Sequence, residues 1–445
     1  SSEASYVYKR QEYLADARWT DDGLILTVQT RDQRTLAVLD VDPVDGTVVE
    51  RARITDEPWV ELVPGVPRLA GDRLVTVEDR APARRLCVDG VALTDDSVQV
   101  RRVVTADDEG VVVVGSTDPT TTAVGHVGWD GTVDWWTPHD GVHGATVAGG
   151  TRVITRRSLD GEGASVTVAV ADASPDTAHT LVDHAADPGL DLDVTIHQVG
   201  ERDLVTAIVL PSGADGATPL PVLLDPYGGP HAQRVQRSRA MFHTSQWFAD
   251  QGFAVVITDG RGTPGRGPAF ERAVRGDLAA PVLDDQVDAL HAAAVIEPRL
   301  DLERVAIRGW SFGGYLAALA VLRRPDVFHA AVAGAPVTDW RLYDTHYTER
   351  YLGHPHHEPD NFTRTDLTGD AASLRRPLLL IHGLADDNVV AAHTLRLSRA
   401  LLEAGRPHTV LPLSGVTHMT PQEDVAENLL LVQLAFLREA LGLDR

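Results

Sequence analysis

Cysteine is nearly absent from this chain of 445 residues, and long apolar runs are missing altogether. Cys87 is the only cysteine, so no internal disulfide bond can form and no oxidising compartment is implied. No apolar run approaches the roughly 20 residues of a membrane-spanning helix. The start also lacks the basic and then apolar order of a signal peptide. These features favour the cytoplasm as the expected location.

Basic residues are scarce, and lysine occurs only once. The chain has 64 acidic and 40 basic residues, a net charge of −24. This charge disfavours nucleic acid, anionic membrane surfaces and acidic substrates as partners. Lys9 is the single lysine, and it precedes the first strand-like pattern. We therefore expect residues 1–12 to be a leader that does not belong to the fold, and the native N-terminus to be missing.

Two domains are expected, because 445 residues exceed what one hydrophobic core usually fills. Residues 13–190 consist of short runs rich in Val, Leu and Thr, broken by Asp-Gly turns. The Asp-Gly pairs at Asp45, Asp89 and Asp130 are spaced by 44 and 41 residues, which fits one four-stranded propeller blade each. The sequence predicts a partial β-propeller of about four blades, and a β-sandwich with hairpins is the alternative.

Strands and helices alternate in residues 191–445, a pattern typical of a sheet with helices on both faces. We expect helices from Leu278 to Ile296 and from Gly314 to Arg324. A capping box at Thr420-Pro-Gln-Glu423 predicts a last helix running to Leu441. Five short apolar runs without alternation suit strands buried on both faces: Pro221 to Asp225, Phe253 to Ile257, Arg304 to Ile307, Ala330 to Ala333 and Pro377 to Ile381.

Ser311 lies in a G-x-S-x-G pattern, Gly309-Trp-Ser-Phe-Gly313, directly between a predicted strand and a predicted helix. In α/β hydrolases this pattern forms a tight turn that lifts a nucleophilic serine above the strand ends. The context therefore predicts a nucleophile. The alternative is a serine in a glycine-rich structural turn.

A nucleophilic serine needs a base to accept its proton and an acid to orient that base. In an α/β hydrolase both follow the serine, acid first, on loops at the carboxyl ends of strands. Asp386 and Asp387 follow one predicted strand, and His418 lies just before the last helix. This order predicts a Ser-Asp-His triad. It leaves the choice between the two aspartates open, and a loop cap and a surface histidine are the alternative interpretations.

From about Tyr13 to its end, the chain resembles the dipeptidyl peptidase IV branch of the prolyl oligopeptidase family. The resemblance is densest in the last 225 residues. It is carried by six stretches: Asp225-Pro-Tyr-Gly-Gly-Pro230, Asp259-Gly-Arg-Gly262, Gly309-Trp-Ser-Phe-Gly-Gly-Tyr315, Ala335-Pro-Val-Thr-Asp-Trp340, Tyr347-Thr-Glu-Arg-Tyr351 and His382-Gly-Leu-Ala-Asp-Asp-Asn388.

The resemblance implies a role for each residue that matches the family pattern. Ser311 is the nucleophile, Asp386 rather than Asp387 is the acid, and His418 is the base. An oxyanion hole is implied from the Tyr227 hydroxyl and the backbone N–H of Phe312, where the branch usually has a tyrosine. A compact apolar pocket for proline or alanine is also implied, and its walls are Phe312, Val337, Trp340, Tyr343, Tyr347 and Val389. Asn388 is implied to hold a substrate carbonyl.

Two of these assignments have structural alternatives. Tyr227 could pack at a strand end beside the glycines that follow it. Trp340, Tyr343 and Tyr347 recur at steps of three and four, so they would share one face if the segment is helical, and such a stripe is more often core.

The phenylalanine at position 312 keeps the aromatic ring of the tyrosine usual in the branch but lacks its hydroxyl. This predicts a drier pocket with an unchanged preference for the substrate residue.

The activity implied is that of a serine exopeptidase that releases N-terminal dipeptides with penultimate proline or alanine through an acyl-enzyme. Peptides are the implied partners, a homodimer through the hydrolase domain is possible in the family, and the propeller caps the active site. The family binds the substrate amine through a glutamate pair, and no adjacent glutamates occur in this chain. We therefore expect an N-terminally truncated propeller, about half of an eight-bladed one.

Other functions remain alternatives. A related acylaminoacyl peptidase, oligopeptidase or esterase would accept blocked substrates, and a noncatalytic homologue would use the fold only for binding. Gly260-Arg-Gly-Thr-Pro-Gly265 fits the dinucleotide pattern G-x-G-x-x-G, although Pro264 removes an N–H that should bind pyrophosphate. A histidine-rich loop, His354 to Glu358, has no rigid element to hold zinc. The sequence thus predicts neither metal nor cofactor.

Overall fold

The computed structural model describes residues 13–20, 23–160, 164–170, 178–214, 216 and 218–443, so the predicted leader lies outside the described residues. The chain forms two compact units. The first consists of the chain up to Ala185 together with two later segments, Gln236–Arg239 and Gly265–Arg272. The second comprises the rest of the chain from Ala186 onwards.

The described part of the first unit contains four antiparallel sheets, each built from four strands that follow one another in sequence. Sheets of this kind are the blades of a β-propeller, so the predicted propeller fold is confirmed and the β-sandwich alternative is wrong. The strands are β1 Tyr13–Thr20, β2 Gly23–Gln29, β3 Thr35–Val41, β4 Val48–Thr55, β5 Arg68–Ala70, β6 Arg73–Arg80, β7 Ala83–Val88, β8 Val91–Ala92, β9 Gln99–Ala106, β10 Gly110–Ser116, β11 Ala123–Gly128, β12 Val133–Trp135, β13 Gly141–Ala148, β14 Thr151–Ser158, β15 Ala164–Val170 and β16 His179–Leu181.

The three regularly spaced Asp-Gly pairs occupy the same place in three successive sheets. Each pair joins the third strand of its sheet to the fourth. Gly46, Gly90 and Gly131 have φ values of 75°, 76° and 85°, a conformation that glycine adopts without the clash a Cβ would cause. The regular spacing of the Asp-Gly pairs in the sequence therefore corresponds to the repeat of one four-stranded sheet.

The second unit is built on one eight-stranded sheet with the order β17-β18-β20-β19-β21-β22-β23-β24. Strands β19 to β24 run parallel, and each of the five predicted apolar runs coincides with one of them, with at most one residue outside the strand. Every residue of β18, β20, β22 and β23 is buried, as expected for strands covered on both faces. The bounds are β17 Val194–Val199, β18 Leu204–Val209, β19 Leu220–Leu224, β20 Ala254–Asp259, β21 Leu300–Trp310, β22 Ala330–Gly334, β23 Leu378–Gly383 and β24 Thr409–Leu413.

Along the chain, the helices lie between the strands β19 to β24, and the last helix follows β24. The α-helices of the described residues are α1 His243–Asp250, α2 Pro268–Arg272, α3 Ala280–Ile296, α4 Phe312–Arg323, α5 Thr345–Leu352, α6 Pro359–Thr365, α7 Ala392–Glu403 and α8 Glu423–Leu441. Short 3₁₀ helices occupy Arg239–Met241, Trp340–Leu342 and Thr368–Ser373. Within the described ranges, none of the helices combines the length and apolarity required to cross a bilayer. The predicted α/β-hydrolase architecture is confirmed.

The predicted capping box of the last helix is wrong. Helix α8 begins at Glu423, and Gln422 takes the N-cap position with φ −75° and ψ 121° and no side-chain capping hydrogen bond. Thr420 and Pro421 therefore lie outside the helix. The acidic pair Glu423 and Asp424 in the first turn favours the start through the helix dipole instead.

The aromatic segment from Trp340 to Tyr347 is not one helix. A 3₁₀ turn ends at Leu342, Tyr343 is extended with φ −94° and ψ 166°, and α5 begins at Thr345. The Asp344 carboxylate caps α5 by accepting a hydrogen bond from the backbone N–H of Tyr347 at 2.8 Å. This cap stops the helix from extending back to Tyr343.

Candidate active site

Ser311 lies in the tight turn between β21 and α4. It is a non-glycine residue with φ 59° and ψ −117°, a conformation that costs of order 1–3 kcal/mol and needs support from its surroundings. Its backbone N–H donates to the carbonyl of Gly334 in the neighbouring strand at 2.9 Å. The turn is thus anchored to the sheet on one side and continues directly into a helix on the other.

The two glycines of the G-x-S-x-G pattern are required by close backbone contacts. A Cβ on Gly309 would lie 2.2 Å from the carbonyl oxygen of Gly313. A Cβ on Gly313 would lie 2.7 Å from the carbonyl oxygen of Pro226, the residue before Tyr227. The second glycine therefore lets the segment that carries Tyr227 approach the serine turn.

Asp386 and His418 form a hydrogen-bonded pair. The Asp386 side chain is 0 % exposed, and its Oδ2 lies 2.8 Å from Nδ1 of His418. Its Oδ1 accepts backbone N–H groups from Asn388 at 3.0 Å and Val389 at 2.8 Å. Asp387, by contrast, is exposed. Because the carboxylate accepts, Nδ1 of His418 carries the proton, and Nε2 is left as the basic atom.

His418 is also attached to the serine turn through its backbone. It lies in the loop between β24 and α8, and its carbonyl oxygen accepts a hydrogen bond from the indole N–H of Trp310 at 2.7 Å. Trp310 is the residue immediately before Ser311. The structure therefore brings the elements carrying Ser311, Asp386 and His418 together at the carboxyl edge of the parallel strands.

Tyr227 follows β19 and lies beside the serine turn. Its ring centroid is 5.8 Å from that of Phe312, and the Ser311 side chain lies near its hydroxyl. Burial raises the pKa of Tyr227 to about 12, with a further rise from Tyr343 and an opposing contribution from the Ser311 side chain. The hydroxyl therefore keeps its proton at neutral pH and can donate to a developing oxyanion.

The aromatic side chains converge although the backbone between them is not helical. Trp340 stacks on Tyr347 with 5.7 Å between ring centroids and 6° between planes. The rings of Phe312 and Tyr343 lie 5.8 and 5.9 Å from that of Trp340. Phe312, Val337, Trp340 and Val389 are buried. The contacts form a compact aromatic wall that begins at the residue after the serine.

Asn388 is held by Tyr343, whose hydroxyl donates to the Asn388 Oδ1 at 3.0 Å. With its oxygen used in this way, the exposed amide of Asn388 presents N–H donors. Such a group suits the carbonyl contact that the resemblance implies.

Comparison with known proteins finds similar families, relatives and structures. Residues 239–444 match the prolyl oligopeptidase family. Human dipeptidyl peptidase 8 is 38% identical over 227 residues, which cover 50% of this chain and 25% of the relative. Dipeptidyl peptidase family member 2 of Caenorhabditis elegans is 34% identical over 223 residues, 47% of this chain and 27% of the relative. In structure, Porphyromonas gingivalis dipeptidyl peptidase 4 is similar at a TM-score of 0.87 and 25% identity, covering 96% of this chain and 63% of that one.

Residues 239–444, just under half of the chain, match the prolyl oligopeptidase family. The similar dipeptidyl peptidases and the similar structure support the dipeptidyl peptidase IV branch of that family, as the resemblance predicted. It spans about a quarter of the length of the curated relatives it matches.

One residue near the family's triad positions was missed by sequence reasoning. His382 is 2% exposed, and its Nε2 donates to the Val389 carbonyl at 2.7 Å while Nδ1 accepts from the Thr394 hydroxyl at 2.7 Å. The same Nε2 lies 3.6 Å from Oδ2 of Asp386. Burial lowers the pKa of His382, so its imidazole stays neutral. Its hydrogen bonds to Val389 and Thr394 support the loop of Asp386. Its position directly after the apolar run that ends at Ile381 was the available signal.

The histidine-rich loop and the glycine-rich segment make contacts within the chain. In the described residues no group of three or more His, Cys, Asp or Glu side chains is arranged to hold a metal ion, and the rings of His354 and His357 instead pack at 4.8 Å. In the glycine-rich segment, the Arg261 guanidinium and backbone N–H bind the buried carboxylate of Asp285 at 2.7–3.0 Å. These contacts are those of a structural turn.

Proposed function

We propose that the chain is a serine exopeptidase that releases N-terminal dipeptides from peptides with proline or alanine in the penultimate position. Ser311 is the nucleophile, His418 the base and Asp386 the acid. Support comes from the family and from relatives whose names are those of dipeptidyl peptidases. Because the chain spans a quarter of those relatives, the activity is a proposal for this chain.

In the proposed mechanism, Nε2 of His418 takes the proton of Ser311 as its oxygen attacks the substrate carbonyl. Asp386 stabilises the imidazolium through the hydrogen bond to Nδ1. The Tyr227 hydroxyl and the backbone N–H of Phe312 stabilise the oxyanion. His418 then gives the proton to the leaving amine, and a water molecule, activated by the same histidine, hydrolyses the acyl-enzyme.

The proposed substrate preference rests on the aromatic wall. Stacked and edge-on rings leave little room for a long or branched side chain, whereas a proline ring or an alanine methyl group packs well against aromatic faces. Trp340, Tyr343 and Tyr347 would line this pocket with Phe312, Val337 and Val389. Asn388 would hold a carbonyl of the substrate.

The observation that carries the proposal is the set of three hydrogen bonds to the buried Asp386 carboxylate. Two backbone N–H groups fix one oxygen, and His418 binds the other at 2.8 Å. A carboxylate held in this way keeps the histidine in one tautomer with its basic nitrogen free. A binding module has no need of that arrangement next to a serine in a strained turn.

Release of p-nitroaniline from Gly-Pro-p-nitroanilide tests the proposal, with the N-acetylated substrate measured in parallel and Ser311→Ala as the control. Turnover of the free substrate alone would support a dipeptidyl peptidase. Turnover of both would favour an oligopeptidase or esterase of the same family. No turnover by a folded sample would favour the noncatalytic alternative.

Two further expectations belong to this proposal. Peptides are the partners that a peptidase requires, and a homodimer through the second unit is a family-based prediction that analytical ultracentrifugation would test. The cytoplasmic location likewise stays a prediction, which fractionation of the source cells would test.

A further inference from the structure

Arg308 occupies a central position beneath the serine turn. It lies on β21, three residues before Ser311, and its side chain is 15% exposed. The parallel ladder between β19 and β21 pairs Leu224 with Ile307, so Asp225 and Arg308 are the next residues on the two strands. Their side chains meet: NH1 of Arg308 donates to Oδ1 of Asp225 at 3.0 Å.

Asp225 extends this contact to the segment that carries Tyr227. Its carboxylate is 7% exposed, and its Oδ2 accepts from NH2 of Arg234 at 2.9 Å and from the Ser245 hydroxyl at 3.1 Å. Tyr227 lies between Asp225 and Arg234 in the chain. One carboxylate therefore holds both ends of the loop that presents the Tyr227 hydroxyl.

A second hydrogen bond of the Arg308 guanidinium reaches the last helix. Its Nε donates to Oε1 of Gln433 at 3.1 Å. Gln433 is 4% exposed, and its amide is oriented by a hydrogen bond from Nε2 to the Leu429 carbonyl at 3.1 Å. This helix, α8, follows the loop of His418. The guanidinium also lies 4.6 Å from the ring of Phe248, which closes off one of its faces.

We infer that Arg308 is a positioning residue of the proposed reaction, because its guanidinium joins the elements that carry Tyr227, Ser311 and His418. The inference rests on the proposed function. A guanidinium presents several N–H donors in a fixed plane, so it binds Asp225 and Gln433 at once. Lysine has one compact ammonium group and cannot reproduce both contacts with the same geometry.

Substitution of Arg308 leaves Asp225 paired with Arg234 and hydrogen-bonded to Ser245, so we expect Arg308→Met to fold. A displacement of about 1 Å between reacting groups can lower a rate roughly a hundredfold. We expect Arg308→Met to slow the chemical step at least tenfold and to change KM less than twofold. Arg308→Lys should recover part of this loss.

The test measures the rate at which a fluorophosphonate probe labels Ser311, together with kcat and KM for p-nitrophenyl acetate. Labelling forms the bond from the serine oxygen to phosphorus and expels fluoride, and it requires no recognition of a peptide. Arg304→Met is the matched control, because Arg304 lies on the same strand and pairs with Asp301 at 2.6 Å, towards its other end. Circular dichroism confirms that each variant is folded.

A double-mutant cycle with Tyr227→Phe separates positioning from general destabilisation. If Arg308 acts through the oxyanion tyrosine, Arg308→Met should slow the Tyr227→Phe enzyme by less than threefold. A full tenfold loss in both backgrounds would place the effect on Ser311 and His418 rather than on Tyr227. An equal loss in Arg304→Met, or a loss of less than twofold in Arg308→Met, would overturn the inference. An unlabelled wild-type chain would instead overturn the proposed triad, whereas labelling without Gly-Pro-p-nitroanilide turnover would reject only the dipeptidyl specificity.

Discussion

The indole N–H of Trp310 donates to the backbone carbonyl of His418 at 2.7 Å. This hydrogen bond links the residue before the proposed nucleophile directly to the proposed base. It needs no side-chain atom of His418, so the imidazole stays available for Asp386 and for Ser311. The loop between β24 and α8 therefore takes its position from the serine turn itself.

Trp310→Phe removes this hydrogen bond and keeps most of the ring. We expect kcat to fall about tenfold, since the base loop loses its anchor, while the free energy of unfolding falls by about 1 kcal/mol. The measurements are steady-state kinetics and urea unfolding. Trp247→Phe, a tryptophan substitution on α1, is the control, and equal kinetic effects from both variants would argue against the anchor.

Asp386→Asn and Asp387→Asn separate the two neighbouring aspartates. Asparagine at 386 can still accept the two backbone N–H groups but no longer fixes the tautomer of His418, so kcat should fall by about 10³–10⁴-fold. The same change at the exposed Asp387 should alter kcat less than twofold. A comparable loss in both variants, measured with the same substrate, would show that the buried carboxylate has no special role.

Gly229→Ala tests the packing beneath the oxyanion site. A Cβ at this position would lie 2.1 Å from the ring of Phe312, which is 2% exposed and packs against the rings of Tyr315 and Trp340. We expect the free energy of unfolding to fall by about 1–3 kcal/mol and kcat to fall as well, because the Phe312 N–H is displaced. Gly369→Ala, where nothing lies within 4 Å of the added Cβ, is the control and should leave both quantities nearly unchanged.

His393 makes the stability of the chain dependent on pH. Burial, together with the nearby His382, lowers its pKa from 6.5 to about 4, and its Nδ1 accepts the backbone N–H of Thr338 at 3.1 Å. Above pH 6.5 the residue is neutral in both states. Between pH 6.5 and 4 only the unfolded chain binds the proton, so the free energy of unfolding falls as pH falls, by at most about 3 kcal/mol.

The measurement is urea unfolding at several pH values between 7.5 and 4.5. His393→Asn keeps an acceptor near the Thr338 N–H and does not titrate, so it should flatten this part of the pH profile. His357→Asn, at an exposed histidine, should keep the wild-type slope. Parallel profiles for the wild type and His393→Asn would contradict the prediction.

Sequence predicted the parts of the fold that depend on local periodicity and turn chemistry. Buried parallel strands require apolar residues on both faces, so the runs in β19 to β23 were visible, and the Asp-Gly pairs report turns that need positive φ. The start of α8 was missed because Thr420 and Glu423 have the residue types of a capping box without its backbone. Whether the segment from Trp340 to Tyr347 is one helix was left open, because aromatic spacing does not reveal the cap provided by Asp344.

The candidate site was predictable where order along the chain carries information. Ser311, Asp386 and His418 follow strands in the order that the hydrolase sheet requires, although spacing alone could not choose Asp386 over Asp387. That choice follows from burial and from the backbone N–H groups of residues 388 and 389, which depend on loop geometry. The role of Arg308 was not predictable, because its hydrogen-bond partners Asp225 and Gln433 lie 83 and 125 residues away in the chain. In the sequence it is only an arginine that follows an apolar run.

The φ of 59° at Ser311 has a consequence for how the chain can evolve. Glycine adopts this conformation freely, so replacing the serine with glycine would relieve strain and raise the stability of the fold. Natural proteins sit only slightly above the stability they need, and stabilising changes are readily accessible to them. A lineage that had no use for the hydroxyl would thus gain thermostability by a change to glycine.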